Sequence, residues 1–263
     1  MIPLKQNPSL INDFFQKVRD SRGGTLFLDY DGTLAPFTTD RDHAYPYPEA
    51  IPLLENLMSH QGSTIFIISG RNVREVQSLL KLSSRPKIWG CHGWEWLSPQ
   101  GEYHAYPLDE SIRHTLEFAL EEAKRLGLEK VIEVKPFSLA LHWRGIDEQE
   151  SENILDKITP IWKRLSENHP LELFPFDGGV ELRALGQNKG KVIEEVLGQK
   201  DTKFPIAYLG DDLTDEQAFA SVGNKGLKVL VRQELRDTLA DLQLIPPEGL
   251  LGFLNLWIKA ASH

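Results

Sequence analysis

The stretch Thr25 to Leu34, TLFLDYDGTL, runs from apolar residues into two aspartates and a Gly-Thr turn. A continuous apolar run suits a strand buried on both faces of a parallel sheet, and carboxylates at its carboxyl end fall where such sheets bind ligands. On an extended chain residues i and i+2 share a face, which predicts Asp29 and Asp31 side by side, roughly 7 Å apart. Such a pair is a platform for a divalent cation, and one carboxylate can attack phosphorus while the other handles protons. An ordinary aspartate-rich turn is the competing reading, and the rest of the chain has to supply the partners.

With 263 residues and 41% apolar content the chain has ample material for a packed core. Acidic residues outnumber basic ones 38 to 29, a net charge of −9, and no basic run stands out, which argues against nucleic acid as a partner. Met1 to Leu10 carries no secretory pattern, and the longest apolar run, Gly249 to Ile258, is far short of the roughly 20 residues a membrane helix needs. A single cysteine, Cys91, forms no internal disulfide or thiolate cage. A cytoplasmic protein, free of membrane and acting as a monomer, is the expectation.

Two further apolar runs end in chemistry. Thr64 to Ile68, TIFII, opens into Ser69-Gly70-Arg71 ahead of a helical period, which places a hydroxyl among free backbone N–H groups, a phosphate contact or simply a helix cap. Pro205 to Leu209, PIAYL, opens into Gly210-Asp211-Asp212-Leu213-Thr214-Asp215-Glu216, whose side chains repel one another unless a cation sits among them. Between the two, Asn188 can cap a helix whose first turn holds Lys189. A cation there opposes the helix dipole, which makes sense if it reaches for an anion, although a lone lysine also reads as a surface residue.

From about Leu108 to Arg183 the pattern changes to helix, hairpin, helix, hairpin, a small α+β unit inserted into the α/β one. The predicted boundaries are 1–107 and 184–263 for the two parts of the core and 108–183 for the insert. Its helices are Asp109 to Leu126 and Ser151 to Ser166, and Pro160 predicts a kink or a break in the second. Alternation puts Glu133, Lys135, His142, Arg144, Glu181 and Arg183 on one sheet face, either a solvated surface or a plate of donors and acceptors suited to a ligand rich in hydroxyls.

Asp29-Tyr30-Asp31-Gly32-Thr33 resembles the first signature of the haloacid dehalogenase-like hydrolases, and the order DxDGT, Ser69, Lys189, GDDxxD matches their four signatures. The likeness narrows at Ile67-Ile68-Ser69-Gly70-Arg71, Gly90-Cys91-His92-Gly93 with Glu95, Glu133-Val134-Lys135, Leu141-His142-Trp143-Arg144, Val180-Glu181-Leu182-Arg183 and GDDLTDE. These look like trehalose-6-phosphate phosphatases, from about Leu26 to Phe219. Ala184 stands where that family often has proline, and Trp94 and Trp96 are bulky neighbours for Glu95. The resemblance implies a Rossmann-like parallel-sheet core with an α+β cap and a Mg²⁺-dependent hydrolase that splits trehalose 6-phosphate through an aspartyl-phosphate. It implies Asp29 as nucleophile, Asp31 as acid and base, and Ser69 and Lys189 on the phosphate. Mg²⁺ would rest on Asp29, the Asp31 carbonyl and Asp211, with Asp212 and Asp215 in support. Arg71, His92, Glu95, Glu133, Lys135, His142, Arg144 and Glu181 would bind substrate. Competing readings are a phosphatase for sucrose phosphate, glucosylglycerol phosphate or a mannosyl- or glucosyl-phosphoglycerate, and a non-catalytic sugar-phosphate sensor.

Overall fold

In the computed structural model, which describes residues 8–38, 40–143, 145–176, 178–199 and 204–262, the apolar run before Asp29 is a strand with every residue buried. Along the chain the elements are α1 (Pro8–Asp20), β1 (Gly24–Asp29), α2 (Ala50–Ser59), β2 (Ser63–Ile68), α3 (Val73–Leu80), β3 (Lys87–Gly90), β4 (Glu95–Leu97) and β5 (Tyr103–Ala105). Next come α4 (Glu110–Arg125), β6 (Ile132–Lys135), β7 (Ser138–His142), α5 (Glu148–Asn168), β8 (Leu171–Phe176) and β9 (Gly179–Ala184). The last are α6 (Lys189–Gln199), β10 (Ile206–Gly210), α7 (Leu213–Val222), β11 (Leu227–Val231), β12 (Leu242–Leu244) and α8 (Glu248–Ala261). The chain divides into two compact units, Met1–His104 with Asn188–His263, and Ala105–Gln187.

The first unit is built on a sheet of order β12-β11-β10-β1-β2-β3-β4-β5. It is parallel from β12 to β3, and β4 pairs antiparallel to β3. Both faces of β1 are covered, which is why its sequence is apolar without alternation. On one face Leu26 and Leu28 pack with Phe14 and Val18 of α1, Leu54 and Leu57 of α2, and Leu254 and Trp257 of α8. On the other, Phe27 stacks on Phe66 at 5.0 Å and Tyr208 at 6.4 Å, and Tyr208 meets Phe219 of α7 edge-on. The strand order places β1 between β2 and β10, so the three strands that end in polar residues are adjacent.

The second unit carries an antiparallel sheet of order β6-β7-β9-β8. Leu139, Leu141 and Leu182 are buried on one face, together with Ile158 and Trp162 of α5. Val134, placed on that apolar face by alternation, is 59% exposed because β6 is the sheet edge. Pro160 does not break α5, which runs from Glu148 to Asn168. Proline removes one helical hydrogen bond, but it lies on the exposed side while the buried stripe Ile154, Ile158, Trp162 and Leu165 continues past it. Among the described residues no helix is long and apolar enough to cross a membrane.

Candidate active site

β1 ends at Asp29, so the extended pairing expected to carry Asp31 beside it does not form. The chain turns immediately, with the Tyr30 carbonyl accepting from the N–H groups of Leu34 and Ala35 and the Gly32 N–H donating to Ala35. Gly32 has φ +79°, and a Cβ there would lie 2.3 Å from Asp211 Oδ2 and 2.7 Å from the Phe37 ring. Only glycine fits both the left-handed backbone and that approach. The turn sends the two aspartates to different partners.

Asp29 is 3% exposed, and its Oδ1 accepts from Lys189 Nζ at 2.6 Å. The same ammonium donates to Asp215 Oδ1 at 2.7 Å. Lys189 is the first residue of α6 and is itself buried, so the anion it reaches for is a pair of carboxylates, Asp29 at the end of β1 and Asp215 in the first turn of α7. Asp31 instead takes a forked grip from Arg71, with Nε to Oδ2 and Nη2 to Oδ1 both at 2.7 Å. Arg71 also donates to the Arg41 carbonyl at 2.8 Å, which fixes the guanidinium between two loops.

Ser69 is fully buried, but it does not cap α3; Asn72 does, its side chain accepting from the Glu75 N–H at 2.9 Å. The Ser69 hydroxyl accepts from the Arg71 N–H at 3.1 Å. The loops after β2 and β3 are zipped by His92 N–H to Ser69 carbonyl at 2.9 Å and Cys91 N–H to Arg71 carbonyl at 2.8 Å. Cys91 and His92 both have positive φ, and the His92 ring lies so close to Gly70 that a Cβ there would sit 2.7 Å from it. Glu95 has both carboxylate oxygens occupied within this unit, accepting from the Val73 N–H at 2.7 Å and the Tyr103 hydroxyl at 2.8 Å. It ties the start of α3 to the β4 hairpin.

After β10, one oxygen each of Asp29, Asp211 and Asp215 lies within 4.8 Å of the others, all buried. Asp215 is saturated: Oδ1 accepts from Lys189 and from the Tyr208 hydroxyl at 2.5 Å, and Oδ2 from the N–H groups of Asp211 and Asp212, each at 3.0 Å. Asp212 forms a capping box with Asp215 at the start of α7. Asp211 Oδ2 is different, a buried carboxylate oxygen with no hydrogen-bond partner. Burial pushes the Asp29 carboxyl up to about 7, against the pull of Lys189, and burial with Asp29 alongside holds Asp211 well above the usual carboxylate range. Three buried carboxylates share one ammonium, and one oxygen of Asp211 has no hydrogen-bond partner. That donor set fits a hard divalent cation bound by oxygen.

Tyr208 escaped the sequence reading. It is fully buried, and a buried tyrosine hydroxyl has to find a partner; its position two residues before Gly210 on an apolar strand was the available signal.

In the second unit the strand register aligns Glu133, Ala140 and Glu181 in one row and Lys135, Ser138 and Arg183 in the next. Glu181 Oε1 accepts from Lys135 Nζ at 3.0 Å and from Ser138 Oγ at 2.6 Å, while His142 Nε2 meets Glu133 at 2.9 Å. Glu181 and Arg183 are each 2% exposed, so this face is a hydrogen-bonded network and not a solvated surface. Arg144 lies outside the described residues.

The trehalose-phosphatase family model matches residues 27–242. A probable trehalose-phosphate phosphatase of Arabidopsis thaliana is 30% identical over 97% of this chain and 73% of its own length. The trehalose-phosphate phosphatase of Mycobacterium ulcerans is 31% identical over 79% of this chain, which spans 53%, about half, of that relative. Among solved structures, the C-terminal domain of the Candida albicans trehalose-6-phosphate phosphatase superposes with a TM-score of 0.83 at 22% identity, covering 98% of both chains. A haloacid dehalogenase-like hydrolase from B. subtilis does so with 0.61 at 15% identity, over 88% of this chain and 99% of that one. The parallel sheet with its inserted unit has the fold of that haloacid dehalogenase-like hydrolase. The chain belongs to the trehalose-phosphatase family.

Proposed function

We propose that the chain hydrolyses trehalose 6-phosphate to trehalose and phosphate through an aspartyl-phosphate on Asp29. The observation that carries this reading is the Lys189 ammonium held between Asp29 and Asp215, beside the orphaned Asp211 oxygen. Asp29 is the nucleophile at the end of a rigid, buried strand, and its attack on phosphorus splits the transfer into two easier steps. Asp31, partly exposed and oriented by Arg71, protonates the departing sugar oxygen and then accepts a proton from water. Ser69 and Lys189 hold the remaining phosphate oxygens, since phosphoryl transfer is catalysed chiefly by positioning and charge stabilisation.

Mg²⁺ is the cofactor of this reading, held by the Asp29 carboxylate, the Asp31 carbonyl and Asp211, with Asp212 and Asp215 fixing the loop. When bound it supplies positive charge against the phosphate and the buried carboxylates. Asp215, whose oxygens already accept from four donors, serves by orientation. Sugar selectivity is assigned to the inserted unit through Glu133, Lys135, His142, Arg144 and Glu181; Arg71, His92 and Glu95 are the substrate-binding residues proposed in the first unit. The cytoplasmic setting and the monomeric state belong to the same reading.

The test is phosphate release by the purified chain with Mg²⁺ from trehalose 6-phosphate, sucrose phosphate, glucosylglycerol phosphate, mannosyl- and glucosyl-phosphoglycerate and p-nitrophenyl phosphate. Trehalose 6-phosphate is expected to give the highest kcat/KM. Preference for another glycosyl phosphate would reassign the sugar, and no release from any would remove the enzyme reading. Asp29→Asn is expected to lower kcat by several orders of magnitude, the scale for losing a covalent nucleophile; residual activity above a few per cent excludes Asp29 from that role.

A further inference from the structure

The Asp211-Asp212 dipeptide lies between the end of β10 and the start of α7, and its backbone is gripped from two sides. Its two N–H groups both donate to Asp215 Oδ2. Its two carbonyls both accept from Arg236, a residue on the connection between β11 and β12, downstream of every motif singled out in the sequence. Arg236 Nη2 donates to the Asp212 carbonyl at 2.7 Å, and Nε and Nη2 each reach the Asp211 carbonyl at 3.3 Å.

The guanidinium is anchored in turn. Its Nη1 pairs with Glu216 Oε1 and donates to the Asp237 carbonyl at 2.8 Å. Glu216 also accepts from Thr238 Oγ1 at 2.7 Å and from the Leu239 N–H at 2.8 Å. The last residue of GDDLTDE is therefore a post that fastens the segment 236–239 against α7, and no ligand role is left for it.

We infer that Arg236 is a positioning residue for the metal site, with Glu216 as its anchor: together they lock the peptide that aims Asp211 at Asp29. The inference rests on the reading of Asp211 as a Mg²⁺ ligand. Metal sites tolerate little displacement of a ligand, and removing an outer partner that orients one typically costs 10–100-fold in metal affinity. A guanidinium spans two carbonyls with a planar fork, which an ammonium on a flexible stem does not reproduce.

The experiment compares the wild type with Arg236→Gln, Arg236→Lys and Glu216→Gln. Mg²⁺ binding is measured by calorimetry on the metal-free protein, and kcat, KM and the Mg²⁺ activation constant with trehalose 6-phosphate and p-nitrophenyl phosphate. Arg236→Gln is expected to weaken Mg²⁺ binding by about 10–100-fold, to raise the activation constant in parallel, and to recover most of kcat at saturating Mg²⁺ with KM little changed. Arg236→Lys restores part of the affinity, and Glu216→Gln shifts it in the same direction by less. A uniform fall in kcat at every Mg²⁺ concentration with unchanged calorimetric affinity overturns the inference. So does wild-type affinity in a folded Arg236→Gln. If Arg236→Gln does not fold, Glu216→Gln decides by the same two readouts. Failure of the wild type to release phosphate from either substrate would remove the enzyme reading, while the calorimetric comparison would still decide the role of Arg236.

Discussion

Replacing Lys189 by methionine keeps the length of a buried side chain and removes the cation that bridges Asp29 and Asp215. Both bonds, at 2.6 and 2.7 Å, are lost in a site where the lysine is 3% exposed. Removing one partner of a buried ion pair costs about 3–5 kcal/mol. For a chain of this size each kcal/mol moves Tm by about 2–4 °C, so the metal-free variant should melt roughly 6–20 °C lower. The pH dependence gives a sharper check. Asp29 in the folded protein titrates near 7, above its ordinary 3.8, because burial outweighs the pull of Lys189. A raised carboxyl pKa means that the folded state keeps a proton the unfolded state has released, so its contribution is full at low pH and is lost as pH rises through the folded value. In the wild type that loss is complete near pH 7. Without Lys189 the pKa moves higher and the loss continues, at up to about 1.4 kcal/mol per pH unit for one proton. Thermal unfolding in chelator between pH 5 and 8.5 should show a gap between variant and wild type that widens above pH 7, and Mg²⁺ should narrow it. A gap that shrinks with rising pH, or equal melting temperatures at pH 8, would refute the reasoning.

Asp211→Asn should raise the Mg²⁺ concentration needed for half-maximal activity by 10-fold or more, on the order of the loss from a disturbed metal site; an unchanged Mg²⁺ titration counts against Asp211 as a ligand. Gly32→Ala places a methyl 2.3 Å from Asp211 Oδ2 in a left-handed backbone, and kcat with p-nitrophenyl phosphate should fall about 100-fold, the effect of a 1 Å misplacement; wild-type kcat would show that the turn has room to give. Glu181→Gln weakens the bonds to Lys135 and Ser138 and should lower kcat/KM for trehalose 6-phosphate by about 10-fold, one charge-assisted hydrogen bond's worth, with p-nitrophenyl phosphate unaffected. Equal losses on both substrates would remove the inserted unit as the source of selectivity.

Much of this protein is legible locally. The apolar runs Thr25–Leu28 and Thr64–Ile68 lie in β1 and β2, and Pro205–Leu209 enters β10 at Ile206, because a strand buried on both faces has to be apolar throughout. The change to alternating patterns after Leu108 likewise marks a sheet with one apolar and one polar face. Glu95 and Asp31 show where such reading stops. Nothing near Glu95 says that its two oxygens will meet Val73 and Tyr103, and nothing near Asp31 says that the strand ends two residues earlier and hands its carboxylate to Arg71. Those pairings depend on which strands become neighbours.

The sequence by itself placed polar residues at the ends of buried strands, which short-range pattern sets, and its resemblance to a family implied the reaction class. It named Asp29, Ser69, Lys189 and Asp211 without any knowledge of their distances. Tertiary structure alone decided which of them meet. Lys189 meets Asp29 across 160 positions, Tyr208 completes the shell of Asp215, and Arg236 holds carbonyls 24 and 25 positions away. Such contacts follow from the order β12-β11-β10-β1-β2-β3-β4-β5, which brings distant chain segments to one edge. Burial then forces every polar atom there to find a partner or, as with Asp211 Oδ2, to await one.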